Sequence, residues 1–254
     1  GLVLPVSFSL ADFFTAVNGD GDHVTVVRGS TSDSLIDFLN EFYLDFYTAD
    51  GSLFSGNEIF EPKEDALPID MDQLTVWDWT GVDIDKEVTA PEGHTSVHDK
   101  VKTELERTDA AVILYDHGTG EIADFVTITE FGDETAFTFY HCKGSGSATA
   151  GARVDDVYEV SGQAQKSVAW AGLSRFEQRI HYKKRKTNLI RGTPEALQQI
   201  LERAKSRRQR FDVKIVQPGI SKATISAGMA ECLGATSGHL RGFGLPRLEI
   251  IGSA

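Results

Sequence analysis

The sequence predicts an α/β (α+β) fold, and three observations predict it. From Thr95 or Ser96 onward, Val97, Val101 and Leu105 recur every four residues, and Asp99 lies three positions after Ser96. That is the signature of a capped amphipathic helix. Next, short runs rich in Val, Ile, Phe and Thr occupy 110–115, 121–129 and 135–142, broken by His117-Gly118-Thr119-Gly120 and by a turn near Gly132-Asp133. Runs of this length and composition read as half-buried strands. Third, a Gly/Ser/Ala segment at 144–152 leads into a second helix over 154–170, with Val157, Val160, Ala164 and Val168 along one face. The order is helix, three-strand meander, loop, helix.

On either side of that centre the signals are sparser. Residues 1–60 alternate short apolar runs, such as Val24-Thr25-Val26-Val27, with turn residues. Gly19-Asp20-Gly21-Asp22 has two acids of a calcium loop but lacks the later ligands and the closing Glu, so it reads as a β-turn. Trp77 and Trp79 read as anchors on the core. Beyond the second helix, 176–190 holds the basic run His181-Tyr182-Lys183-Lys184-Arg185-Lys186. Thr193-Pro194-Glu195 opens a helix running to about 208, with Thr as cap and Pro in the first turn. A buried strand at 211–216 ends at Gln217-Pro218-Gly219, followed by a helix over 221–233 and a strand over 248–251. Two parts are expected: an N-terminal α+β lobe over 1–92, and a second domain over 93–254.

A chain of 254 residues has ample material for a buried core. It contains no run of 18 apolar residues, which excludes a membrane-spanning helix. Cys142 and Cys232 are too few for a disulfide framework or a four-thiolate zinc site, so a cytoplasmic setting is expected. The initial Gly suggests a cloning remnant or a piece of a longer protein. The net charge of −13 is unevenly spread. Residues 1–150 carry 7 basic and 29 acidic groups (7 − 29 = −22), and residues 151–254 carry 18 and 9 (18 − 9 = +9). A basic half can face a phosphate backbone, although a solvated charged helix reads the same way.

With Asp124 in the second strand and Lys143 closing the third, the helix–β–β–β–helix–β order resembles the PD-(D/E)xK nuclease superfamily, which includes the restriction endonucleases. The resemblance implies a restriction-endonuclease-like core, a mixed central sheet flanked by helices, over about 94–216. In the family pattern a first Asp is followed by an acid-x-Lys tripeptide. Asp124 matches the first position and Lys143 the last, whereas His141 stands where Asp or Glu is usual. The stretch from His141 to Ser167, and Val216-Gln217-Pro218-Gly219 near the end, also look similar to C-terminal regions of bacterial helicase-nuclease defence proteins. That implies a restriction or phage-defence setting with a helicase domain as partner.

The chemistry the family implies assigns roles to particular residues. Asp124 and, from the first helix, Glu104 would be metal ligands for Mg²⁺ (or Mn²⁺), with Glu121 a second choice for the latter. Lys143 would orient the attacking water and stabilise the phosphate's charge. His141 would be a ligand, base or phosphate contact sharing Lys143's face, with Cys142 pointing the opposite way. Gln163 would reach the site from the second helix. Lys183, Lys184, Arg185, Lys186, Arg207, Arg208 and Arg210 would track the DNA backbone. The competing class is a non-catalytic nuclease-like fold that binds nucleic acid or protein. No P-loop ending and no nucleophile elbow is present.

Overall fold

A computed structural model describes residues 6–9, 13–16, 24–28, 31–41, 45–47, 53–55, 58–60, 69, 74–118, 120–182 and 188–254. The chain divides into two compact units, Gly1–Asp65 and Ala66–Ala254. The boundary therefore falls earlier than the expected 92/93, because Leu74–Val76 is a strand of the second unit's sheet and Trp79 donates its indole N–H to the Gly252 carbonyl at 2.9 Å. Trp79 is thus a core anchor, and Trp77 packs half-buried against the same cluster.

In the first unit, β1 (Val6–Ser9) pairs antiparallel with β2 (Phe13–Ala16), and β3 (Thr25–Arg28) with β4 (Thr31–Ser34). Helix α1 (Leu35–Glu41) follows β4 directly, its start marked by Ser34, whose hydroxyl accepts the Asp37 N–H at 3.0 Å. Strands β5 (Asp45–Tyr47), β6 (Leu53–Ser55) and β7 (Glu58–Phe60) form a small antiparallel meander.

The second unit is built on a seven-stranded mixed sheet flanked by helices. Its strands are β8 (Leu74–Val76), β9 (Val112–Tyr115), β10 (Phe125–Phe131), β11 (Glu134–Cys142), β12 (Asn188–Arg191), β13 (Arg208–Ser221) and β14 (Glu249–Ser253), in spatial order β12-β9-β10-β11-β13-β14-β8. The pairs from β12 to β11 are antiparallel, and those from β11 to β8 are parallel. The helices are α2 (Val97–Glu106), α3 (Asp155–Lys166), α4 (Leu173–Tyr182), α5 (Pro194–Ala204) and α6 (Ala227–Gly242).

Side-chain alternation along each strand sorts the core into two faces. Val112, Leu114, Phe137, Phe139 and Ile215 join the apolar residues of α3, α4, α5 and α6 in the larger cluster. Ile113, Phe125, Tyr140, Cys142 and Val216 lie on the other face, under Val97, Val101 and Leu105 of α2. The expected capping box at Ser96–Asp99 is present in full. So are the Thr193 cap and Pro194 at the start of α5.

Three elements differ from expectation. Helix α4 lies in a stretch that its polarity masked, although Leu173, Phe176 and Ile180 follow the i, i+3, i+7 spacing of its packed side. Strand β13 runs through Pro218, which lacks an N–H, by shifting its register with β14 between Val216 and Ser221. The Gln217 side chain accepts the Gly219 N–H at 2.7 Å within this irregular stretch. Finally, Ser221–Ile225 is a turn, and α6 begins at its Ser226 cap.

Candidate metal centre

Asp124 does not sit within a strand, as expected, but immediately before β10. Its carboxylate is only 1% exposed and is held from two sides. Oδ2 accepts the Cys142 backbone N–H at 2.7 Å, which ties it to the end of β11, and Oδ1 lies 2.6 Å from His117 Nδ1. His98 Nε2 lies 3.7 Å from the same Oδ1. The second residue of α2 is His98, so the capping box fixes its approach. Its Nδ1 is 3.1 Å from the Tyr115 hydroxyl, while Nε2 is buried with no hydrogen-bond partner among the described residues.

The turn between β9 and β10 supplies the next groups. The Glu121 carboxylate accepts the Gly118 N–H at 2.6 Å, and the Asp116 carboxylate accepts the Ile122 N–H at 2.9 Å. Gly118 and Gly120 adopt φ of 127° and 73°, the region open to glycine, and this lets the chain fold back tightly enough to bring His117 within 3.7 Å of Glu121.

Lys143 follows β11, its backbone N–H bound to the Val216 carbonyl. Its ammonium lies 2.9 Å from Glu87 Oε2 and 2.9 Å from Glu159 Oε2. The backbone carbonyls of Lys86 and Glu87 accept the N–H groups of Val97 and His98, so the segment that carries Glu87 also completes the N-terminus of α2. One turn along α3 from Glu159, Gln163 reaches to 3.5 Å from Glu121 Oε1. Asp124, His117, Glu121 and Gln163 are therefore linked in one chain of contacts, and Glu87, the partner of Lys143, approaches it within 4.8 Å of the His98 and His117 nitrogens.

Burial dominates the electrostatics. It pushes the Asp124 carboxyl up to about 6, with the Cys142 N–H and His117 opposing. Burial, then the neighbouring His117, pushes His98 down to about 4. Cys142 is raised well above an ordinary thiol by burial and then by Asp124. For Lys143 burial works to lower the value, but the hydrogen bonds to Glu159 and Glu87 outweigh it and leave the ammonium more firmly protonated.

Three groups of side chains here could hold a metal ion: Glu87, His98 and His117; His98, Asp124 and Cys142; and His117, Glu121 and Asp124. Within each group the ligand atoms lie within 4.8 Å of one another. A buried imidazole nitrogen without a partner, aimed at a carboxylate, is the kind of atom a cation would satisfy. No family model matches the sequence, no curated protein matches it, and no solved structure matches the fold.

Two expected ligands stand elsewhere. His141 faces the larger core, wholly buried, with Nε2 2.7 Å from the Ser167 hydroxyl, and burial pushes it down to about 3. Alternation at the end of β11 places Cys142, not His141, beside Asp124. Glu104 is bound by Lys100 at 2.6 Å and Arg107 at 2.9 Å and belongs to none of the three groups.

The arginines are also remote. Arg208 pairs with Glu134 at the start of β11, whereas Val216 pairs with Cys142 at its end. The separation is 216 − 208 = 8 residues, or roughly 26 Å at about 3.3 Å per residue. Arg207 donates to the Gly132 and Glu134 carbonyls, and Arg210 is paired with Glu134 and Asp212. Lys183, Lys184, Arg185 and Lys186 lie outside the described residues.

Sequence reading missed His98, His117, Glu87 and Glu159. The signal for two of them was present in the spacing His117-x3-Glu121-x2-Asp124, a ligand-type run that the glycines disguised as a plain turn. For Glu87 and Glu159 no local pattern exists, since both are brought in by tertiary packing.

Proposed function

We propose that the second unit is a divalent-metal-dependent nuclease that hydrolyses DNA phosphodiester bonds. The observation that carries this reading is that Glu87, which holds the Lys143 ammonium at 2.9 Å, also lies within 4.8 Å of the His98 and His117 nitrogens that border the Asp124 carboxylate. Asp124, His98, His117 and Glu121 would hold the ion. A bound divalent ion supplies Lewis acidity to a phosphoryl oxygen and lowers the pKa of its water. With two imidazoles among the donors, Mn²⁺ suits the site better than Mg²⁺, which prefers oxygen alone.

Lys143 supplies the charge that a scissile phosphate requires. It must first exchange a carboxylate, and Glu159, 61% exposed against 24% for Glu87, is the partner solvent can claim. Gln163 restrains Glu121 and thereby the turn that carries His117. A restriction or phage-defence setting with a helicase partner rests on the sequence resemblance alone.

Plasmid nicking with Mn²⁺ or Mg²⁺ tests the reading. Asp124→Asn and Lys143→Met should each lose cleavage by about 100-fold or more, the usual effect of removing a charge that stabilises the transition state. The double pairing of Lys143, together with the burial of His141 away from the site, favours a second reading as a binding module. Salt-sensitive DNA binding without cleavage by the parent protein would select it.

A further inference from the structure

Beside the candidate centre, α4 and the turn before it border an open groove of about 950 Å³, lined by Trp170, Ser174, Arg175, Glu177, Gln178 and Arg179. That is within the size range of small-ligand sites. The Arg179 guanidinium carbon lies 5.4 Å from the Trp170 ring centroid, a cation–π contact. Its Nε is buried with no hydrogen-bond partner among the described residues. The other end of the guanidinium rests against Gly120: a Cβ there would come within 2.8 Å of Nη2. Gly120 immediately precedes Glu121, so the groove opens next to the turn that carries His117 and Glu121. Glu177, the one acid of the lining, is shielded by Lys205 at 3.9 Å.

We infer that this groove binds an unpaired nucleotide of single-stranded DNA, with its base stacked on the Trp170–Arg179 pair and its phosphate near Arg175. The inference rests on the nuclease reading and narrows its substrate. An indole and a guanidinium plane recognise the π-face of a base, which a duplex keeps covered by its stacked neighbours. Recognition of a duplex would instead draw on arginines spread over a surface. Among the described residues of the expected backbone-tracking set, Arg207, Arg208 and Arg210 are engaged by Glu130, Glu134 and Asp212. Arg175 is exposed, so its charge is available to a backbone phosphate.

Fluorescence anisotropy in EDTA, with a labelled oligothymidylate and a blunt duplex of equal length, provides the test on the full chain. The single strand should bind at least about tenfold tighter than the duplex. Trp170→Leu, which keeps apolar packing, should weaken it by about 5- to 140-fold, the range set by one base–aromatic stack. Trp170→Phe should stay within about threefold of the parent. Arg175→Gln, a surface change with no packing role, should flatten the salt dependence of single-strand binding by about one phosphate contact. Equal binding of the two DNAs, or parent-like binding by Trp170→Leu, overturns the inference. So does an unchanged salt dependence in Arg175→Gln. Cleavage with Mn²⁺ is scored separately. Binding without cleavage removes the nuclease and leaves the groove assignment standing, whereas cleavage with Trp170 irrelevant to binding removes the groove alone.

Discussion

Asp124 and His98 face each other with opposite responses to acid. The folded-state value of Asp124, about 6, stands above the ordinary carboxylate, so its contribution to stability is present at low pH and lost as pH rises between about 4 and 6. His98, about 4 in the folded state, lies below the ordinary imidazole, so its contribution is present at neutral pH and lost as pH falls from about 6.5 to 4. Over the shared window the two oppose each other. His141, pushed down to about 3 with no carboxylate to oppose it, is left to set the acid response. Stability should therefore fall as pH drops below about 6, with a slope approaching 1.4 kcal/mol per pH unit for one proton. His141→Gln, which retains a hydrogen-bonding group toward Ser167 but cannot take up the proton, should flatten that slope in urea titrations run from pH 7 to 4. An equally steep slope in the variant would show that other groups control it.

Helix α2 contributes a core face, through Val97, Val101 and Leu105, and a site residue, His98, from one turn. Its cap is therefore a site determinant. Ser96→Ala removes the hydroxyl that accepts the Asp99 N–H and should cost about 1 kcal/mol. Thermal melts should show that loss, and Mn²⁺ affinity should fall with it, since fraying of the first turn releases the imidazole. Unchanged affinity in a destabilised variant would separate the cap from the site. The same helix illustrates how legible the elements were. Ser96–Asp99, the apolar spacing of α2, the meander and Thr193-Pro194 were readable because each is a local pattern of a few residues. Cys142 and His141 were distinguished wrongly because the side of a strand that meets the site depends on which helix covers which face. Helix α4 was hidden because the charges of its polar side outweighed three well-spaced apolar residues.

At the scale of the molecule, the division at 65/66 means that the strip from 66 to 92 belongs with the sheet, and it carries both Trp79 and Glu87. A chain beginning at Ala66 should melt cooperatively with its own core, whereas one beginning at Gly93 loses β8, the Trp79 anchor and a partner of Lys143, and should melt at a lower temperature or not fold. Calorimetry on the two truncations decides this, and equal melting temperatures would contradict it. Strand β8 lies parallel to β14, with Leu74 opposite Ile250, so this edge joins residues from far apart in the chain. Gly252 is the close approach that permits it, because a Cβ there would collide with the Ile220 carbonyl and crowd Leu74. Contacts spanning such sequence distances form late, since the intervening chain must first be gathered. During synthesis the ligand-bearing turn with β9, β10 and β11 can assemble from nearby sequence, but β8 must wait until the ribosome has delivered its partner β14. For that interval the nascent chain would present an unfinished β-edge, the state most exposed to chaperones and to aggregation.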